Sequence, residues 1–163
     1  MPRIVDARQS RFGGLFEDYE VGDRFLHWPG KTITEADNHL FCLLTLAASP
    51  IHIDAHYAQQ ELPDGRNLVV GTLIYSLLLG MSVPDISGRA LANLGVEDLR
   101  HIAPMYHGDT LYGESEVVRT RLSASRQDAG ILTVTTTGTN QDGVVVCRFT
   151  RSVLLPVGAK AEK

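Results

Sequence analysis

The sequence predicts an α+β domain in which an antiparallel sheet curves around one long, buried helix. Three observations carry this. The segments run strand, helices, then four strands rich in Val, Thr and Leu, an order that gathers helices on one face of an antiparallel sheet. Residues 68–82 place Val69, Val70, Leu73, Ile74, Leu77, Leu78, Leu79 and Met81 with almost no polar face, so that helix must be covered on most sides. The length of 163 residues, with 44% apolar and 21% charged side chains, suits one globular domain. A chain this long buries roughly 70% of its unfolded surface.

In chain order, residues 1–12 and 157–163 lack an apolar pattern and are expected to be poorly ordered. That leaves an ordered core of about 12–156 inside a single domain spanning 1–163. Residues 23–33 form a short strand region around Trp28. Thr34-Glu35-Ala36-Asp37 then places a capping hydroxyl three residues before an acid and ahead of Leu40, Phe41, Leu43 and Leu44, which starts a helix. Residues 47–53 are a loop containing Pro50, and Asp54 caps a short helix through Gln60. The central helix follows over 68–82, with Pro84 and Gly88 just past its end.

From Ala90 the period changes. Residues 91–100, 110–122, 130–139 and 144–155 read as strands, and Asn140-Gln141-Asp142-Gly143 joins the last two as a hairpin. A curved sheet around one apolar helix is the hot-dog arrangement. An open antiparallel sheet also leaves edge strands that need pairing, so the domain is expected to dimerise.

Net charge is −4, a poor match for nucleic acid, where a basic footprint supplies most of the affinity. Residues 1–81 hold 6 basic and 10 acidic side chains; residues 82–163 hold 9 of each. An anionic ligand is expected to meet its cations in the second half. Cys42 and Cys147 read as small core residues, not a disulfide framework. No secretory pattern opens the chain, and the apolar stretch 68–83 is shorter than the roughly 20 residues a membrane span needs. These features point to the cytoplasm. His27, His39, His101 and His107 show no metal-ligand spacing, and no glycine-rich phosphate loop appears, so neither a metal nor a nucleotide cofactor is indicated.

Several spaced motifs carry a family resemblance. Thr34-Glu35-Ala36-Asp37, Pro50-Ile51-His52-Ile53-Asp54 with Tyr57-Ala58, and Val70-Gly71-Thr72-Leu73 resemble the MaoC-like hydratases. The likeness continues through Asn93-Leu94-Gly95, Pro104, Gly108-Asp109-Thr110 and Ser123-Ala124-Ser125-Arg126. Asp37-Asn38, Asn93-Leu94-Gly95, Ser125-Arg126 and Asn140-Gln141 look most like the mesaconyl-CoA hydratase branch. The resemblance implies reversible hydration of an enoyl-CoA, here a methyl-branched dicarboxylic one of the mesaconyl-CoA or itaconyl-CoA type. It also implies a site at a dimer interface, and no cofactor beyond the coenzyme A of the substrate.

The family's loop reads Asp-x-Asn-Pro-x-His. Laid on this chain, His falls on His52 and Pro on Pro50, while Ser49 takes the Asn position and Ala47 the Asp position. His52 is therefore the leading acid–base candidate, since imidazole titrates near pH ~6.5. For the missing carboxylate, three accounts stay open. Asn38, Thr45 or Ser49 orients the water; His52 acts alone; or the substrate's own carboxylate assists. The first is preferred, with Asn38 and Ser49 named beside His52. Asp54 reads as a helix cap and Asp37 as a first-turn acid rather than as bases.

Gly71 and Thr72 open the central helix, where unpaired backbone N–H groups suit a developing thioester oxyanion. Gly71 reads equally as a packing glycine. Ser125 and Arg126 are candidates for the CoA phosphates by resemblance, against a plainer reading as a solvated hairpin. Arg151 shares strand parity with Val145, Cys147 and Phe149, so it is expected to face inward, toward a substrate carboxylate. Two other functions compete: a hot-dog thioesterase, and a non-catalytic acyl-CoA-binding subunit.

Overall fold

A computed structural model describes residues 4–6 and 12–158. The expectations for residues 1–3, 7–11 and 159–163 lie outside the described residues. Residues Ile4–Asp6, expected to be poorly ordered, instead form strand β1, parallel to β2 (Arg24–Leu26). Strand β3 (Lys31–Thr32) follows, so the single strand expected over 23–33 is split at Trp28-Pro29. Proline lacks the N–H that a continuous ladder requires.

Helix α1 (Glu35–Thr45) begins as the sequence predicts. Thr34 Oγ1 accepts from the Asp37 N–H, and Asp37 accepts from the Thr34 N–H, a reciprocal capping box. The loop expected over 47–53 contains a helical turn, α2 (Pro50–Ile53), with proline at its first position. Helix α3 (Ala55–Glu61) is capped by the Asp54 carboxylate at 2.9 Å from the Tyr57 N–H. The central helix, α4 (Gly71–Met81), starts three residues later than predicted, because residues 68–70 run extended; a turn of π-helix, Val83–Ser87, follows it. Strands β4 (Ala92–His101), β5 (Thr110–Leu122), β6 (Ala129–Thr139) and β7 (Val145–Pro156) complete the sheet in the order β1-β2-β5-β6-β7-β4, with β3 pairing β5.

The hot-dog arrangement follows from how α4 seats. Leu73, Ile74 and Leu78 are buried against Leu111, Val146, Cys147 and Phe149, and Tyr75 meets Phe149 edge-on at 4.9 Å. Leu78 lies in a hollow over Gly113 of β5 and Gly138 of β6, where an added Cβ would come within 3.1 and 2.6 Å of its methyls. Glycines at those two points let the helix sink onto the sheet. The burial is one-sided, since Thr72, Ser76 and Gly80 form an exposed stripe at helical spacing. None of the described helices is long and apolar enough to cross a membrane.

Strand β4 is the open edge. All ten of its residues are exposed, including Leu94, Val96 and Leu99, and α1 with its C-cap exposes Leu40, Leu43, Leu44 and Leu46. Between Glu97 and Arg100 the register slips by one residue, at Asp98 with φ of +52°. This bulge reverses the alternation downstream, so His101 pairs with inward-facing Cys147 instead of pointing outward.

Candidate active site

The N-terminus of α4 opens into a cavity of about 350 Å³ whose lining includes His52, Leu68, Gly71, Ile74, His101 and Met105. Two buried asparagines hold this wall. Asn67 donates to the carbonyls of Pro50, Ile51 and Asp54, tying α2 to the extended segment before α4. Asn38, on α1, donates to the carbonyls of His52 (3.0 Å) and Leu68 (3.3 Å) and to His107 Nε2, and accepts from the Val70 N–H at 3.0 Å. Burial lowers the His107 pKa, consistent with an Nε2 that accepts.

His52 Nδ1 lies 2.9 Å from the Leu68 carbonyl oxygen. A carbonyl only accepts, so Nδ1 carries the proton and Nε2 keeps the lone pair. Beside it, the N–H groups of Gly71 and Thr72 occupy the first two positions of α4, which have no intrahelical acceptor. His52 and Gly71 thus line one cavity.

The other predicted residues are placed differently. Asn38 is fully buried behind the cavity wall, its amide bonded to backbone and His107. Thr45 Oγ1 donates back to the Phe41 carbonyl at 2.7 Å. Ser49 is exposed and caps α2 without a side-chain bond, and Ala47 packs against the core. Thr72 is exposed, so only its backbone addresses the helix end. Asp37 is held at a pKa of about 2 by hydrogen bonds from Lys31 and then Thr34, which leaves it no role as a base.

Ser125 and Arg126 lie on the β5–β6 hairpin, where Arg126 pairs with Asp128 at 2.7 Å on the surface. That hairpin is at the opposite end of the sheet from His101. The β7 register from Cys147, opposite His101, to Pro156, opposite Ala129, covers about 30 Å at ~3.3 Å per residue. Within one chain Arg126 does not reach the cavity. Arg151 does face inward and is 1% exposed, but at the far end of α4. It donates to Ser82 (2.8 Å), Ser87 (3.2 Å) and Asn93 (2.9 Å), and burial pushes its pKa down to about 10. Its guanidinium serves the helix C-terminus, where carbonyl dipoles favour a cation.

Sequence reasoning missed three residues. His101 reaches the cavity only because of the β4 bulge. Asn67 acts through carbonyls that no spacing rule marks. Arg66 stacks over the Tyr106 ring at 4.0 Å beside a second hollow of about 200 Å³, which meets the first at Leu68 and Pro104. No sequence signal singles out Arg66. Among the described residues, no three His, Cys, Asp or Glu side chains converge as a metal site would need.

Comparison with known proteins settles the family. The family model described as mesaconyl-CoA hydratase matches residues 3–162. The chain belongs to the mesaconyl-CoA hydratase family. Within it, the chain is 33% identical over 148 residues to the mesaconyl-CoA hydratase of Cereibacter sphaeroides, covering 90% of this chain and 42% of that protein. A solved MaoC-domain protein of Chloroflexus aurantiacus, titled a dehydratase, superposes with a TM-score of 0.85 at 31% identity, over 95% of this chain and 44% of the other. A Mycobacterium tuberculosis protein described as a double hot-dog fold superposes at 0.73 with 25% identity, over 93% and 46%. The chain therefore spans less than half the length of these relatives.

Proposed function

We propose that this domain carries reversible hydration of an enoyl-CoA thioester, with a methyl-branched dicarboxylic acyl group of the mesaconyl-CoA type as substrate. The observation that carries the reading is the pairing of His52, whose Nε2 no described residue bonds, and the helix N-terminus in one cavity. Water would lose a proton to His52 Nε2 as its oxygen bonds to the β-carbon. The π electrons would move onto the thioester oxygen, met by the N–H groups of Gly71 and Thr72. His52 would then return the proton to the α-carbon, leaving a hydroxyacyl-CoA. The base and the donors account for both halves of the addition.

Arg66, stacked on Tyr106 at the wall of the adjoining hollow, would be a nearer cation for the anionic CoA than the distant Arg126. The exposed β4 edge and the leucines of α1 would be covered by a second hot-dog unit, either a second copy or another half of a longer chain. The span of 42% and 44% of the relatives' length supports such a pairing. The reading needs no cofactor beyond the CoA that the substrate brings. It also keeps a cytoplasmic setting, supported by two buried free cysteines.

The test is a screen of enoyl-CoA thioesters followed by loss of the conjugated absorbance, with thiol release measured in parallel. Hydration fastest with mesaconyl-CoA supports the proposal. Faster turnover of an unbranched enoyl-CoA breaks the substrate assignment, and thiol release without hydration identifies a thioesterase. A second reading, a non-catalytic acyl-CoA-binding half, rests on Ala47 at the family's carboxylate position. It gains if CoA thioesters bind and none is hydrated.

A further inference from the structure

His52 accounts for one imidazole in the cavity; the second belongs to His101. The bulge at Asp98 turns His101 inward, and its ring lies against Gly71, where an added Cβ would come within 2.8–2.9 Å of three ring atoms. The glycine thus makes room for a histidine of its own chain at the helix N-terminus. No described residue accepts from or donates to the His101 ring.

We propose that His101 donates its ring N–H to the thioester oxygen, alongside the backbone N–H groups of Gly71 and Thr72. This rests on the hydration reading above. Three arguments fix the role. The N–H of His52 is already spent on the Leu68 carbonyl, so His52 can take a proton but cannot donate to the oxyanion before it has done so. An imidazole carries an N–H on at least one ring nitrogen, and this ring lies against the first residue of α4, so it can supply a donor there. Ala47 contributes no polar group to share the work. In the reaction the water oxygen bonds to the β-carbon, and the π pair moves to the thioester oxygen. The water proton passes to His52 Nε2 and then to the α-carbon. His101 keeps its own proton throughout.

Two substitutions test this on the intact chain. His101→Phe keeps a ring over Gly71 and removes the donor, whereas His101→Gln restores an amide N–H. His101→Phe is expected to lower kcat for hydration about 10²–10³-fold with KM little changed and the melting temperature unaltered. His101→Gln is expected to recover at least about tenfold of that loss, in kcat and not in KM. Wild-type kcat in His101→Phe overturns the proposal, as does equal loss in Phe and Gln. If the wild type hydrates, His52→Ala does not, and His101→Phe does, this inference fails and the hydration reading stands. If the wild type hydrates no enoyl-CoA, both fail.

Discussion

Helix α4 has a polar cluster at each end, and the two are built in opposite ways. Past its C-terminus, His27 Nδ1 donates to Asp85 at 2.7 Å, His27 Nε2 meets Ser115 Oγ at 2.8 Å, and Ser115 Oγ meets Thr136 Oγ1 at 2.7 Å. The side chains of His27 and Asp85 are 0% and 1% exposed. Arg151 with Ser82, Ser87 and Asn93 lies at the same end. A Ser, a His and an Asp stand there at hydrogen-bond distances, yet both ring nitrogens are bonded and dry. At the N-terminus, no described residue bonds His52 Nε2 or the His101 ring, and both histidines are on the wall of a cavity. Partners alone do not mark a working histidine. A nitrogen must be both uncommitted and reachable to exchange a proton with a substrate, so the first cluster is scaffold and the second is where chemistry fits.

The comparison can be broken most directly at the open end. His52→Ala is expected to lower kcat/KM for hydration about 10³-fold, with no loss of melting temperature. A loss as large in His27→Ala, at unchanged stability, would erase the distinction. At the closed end, Asp85→Ala strands the His27 N–H without solvent and is expected to cost about 3 kcal/mol. Calorimetry should then show a melting temperature lower by about 10 °C, at roughly 2–4 °C per kcal/mol, with kcat per folded molecule unchanged.

Asn38 links fold and site, so its substitution sharpens the contrast. Asn38→Ala removes the bonds to His52, Leu68, Val70 and His107, and is expected to cost about 2 kcal/mol and lower kcat about tenfold. An unchanged kcat would show that His52 is held without it. Asp37→Asn has the smallest effect and touches neither end. Its carboxyl is lowered from 3.8 to about 2, so its stabilisation is complete above pH 3.8 and is lost as pH falls through about 2. The difference in melting temperature between wild type and Asp37→Asn should be level near neutral pH and close between pH 4 and 2. A difference that grows with acid would refute the assignment.

What the sequence made legible was set by local periodicity. Strands β4 to β7 fall within a residue or so of their expected bounds, because Val/Thr/Leu alternation and the Asn140–Gly143 turn are local signals. The Thr34 and Asp54 caps were equally readable, since a cap is defined within four residues. The four-residue α2 was not, as one turn leaves no period to detect. The site was half legible. His52 and Gly71 belong to short motifs, but which end of the sheet carries Arg126 is a question of topology that its hairpin sequence does not address. The roles of Asn38 and Asn67 depend on carbonyls from distant segments, and strict alternation points His101 away from the cavity.

The bulge on β4 has a genetic consequence. From Val96, opposite Arg151, to His101, opposite Cys147, β4 takes one more step than β7, and the extra residue is absorbed beside Asp98. An in-frame deletion of the single codon for Asp98 would remove that extra residue, bring Leu99 opposite Phe149 and leave His101 opposite Cys147. The imidazole would keep its inward aim on a regular strand. At this point the chain can lose a codon and keep its pattern, whereas a codon lost from an unbulged stretch would turn every side chain beyond it to the other face.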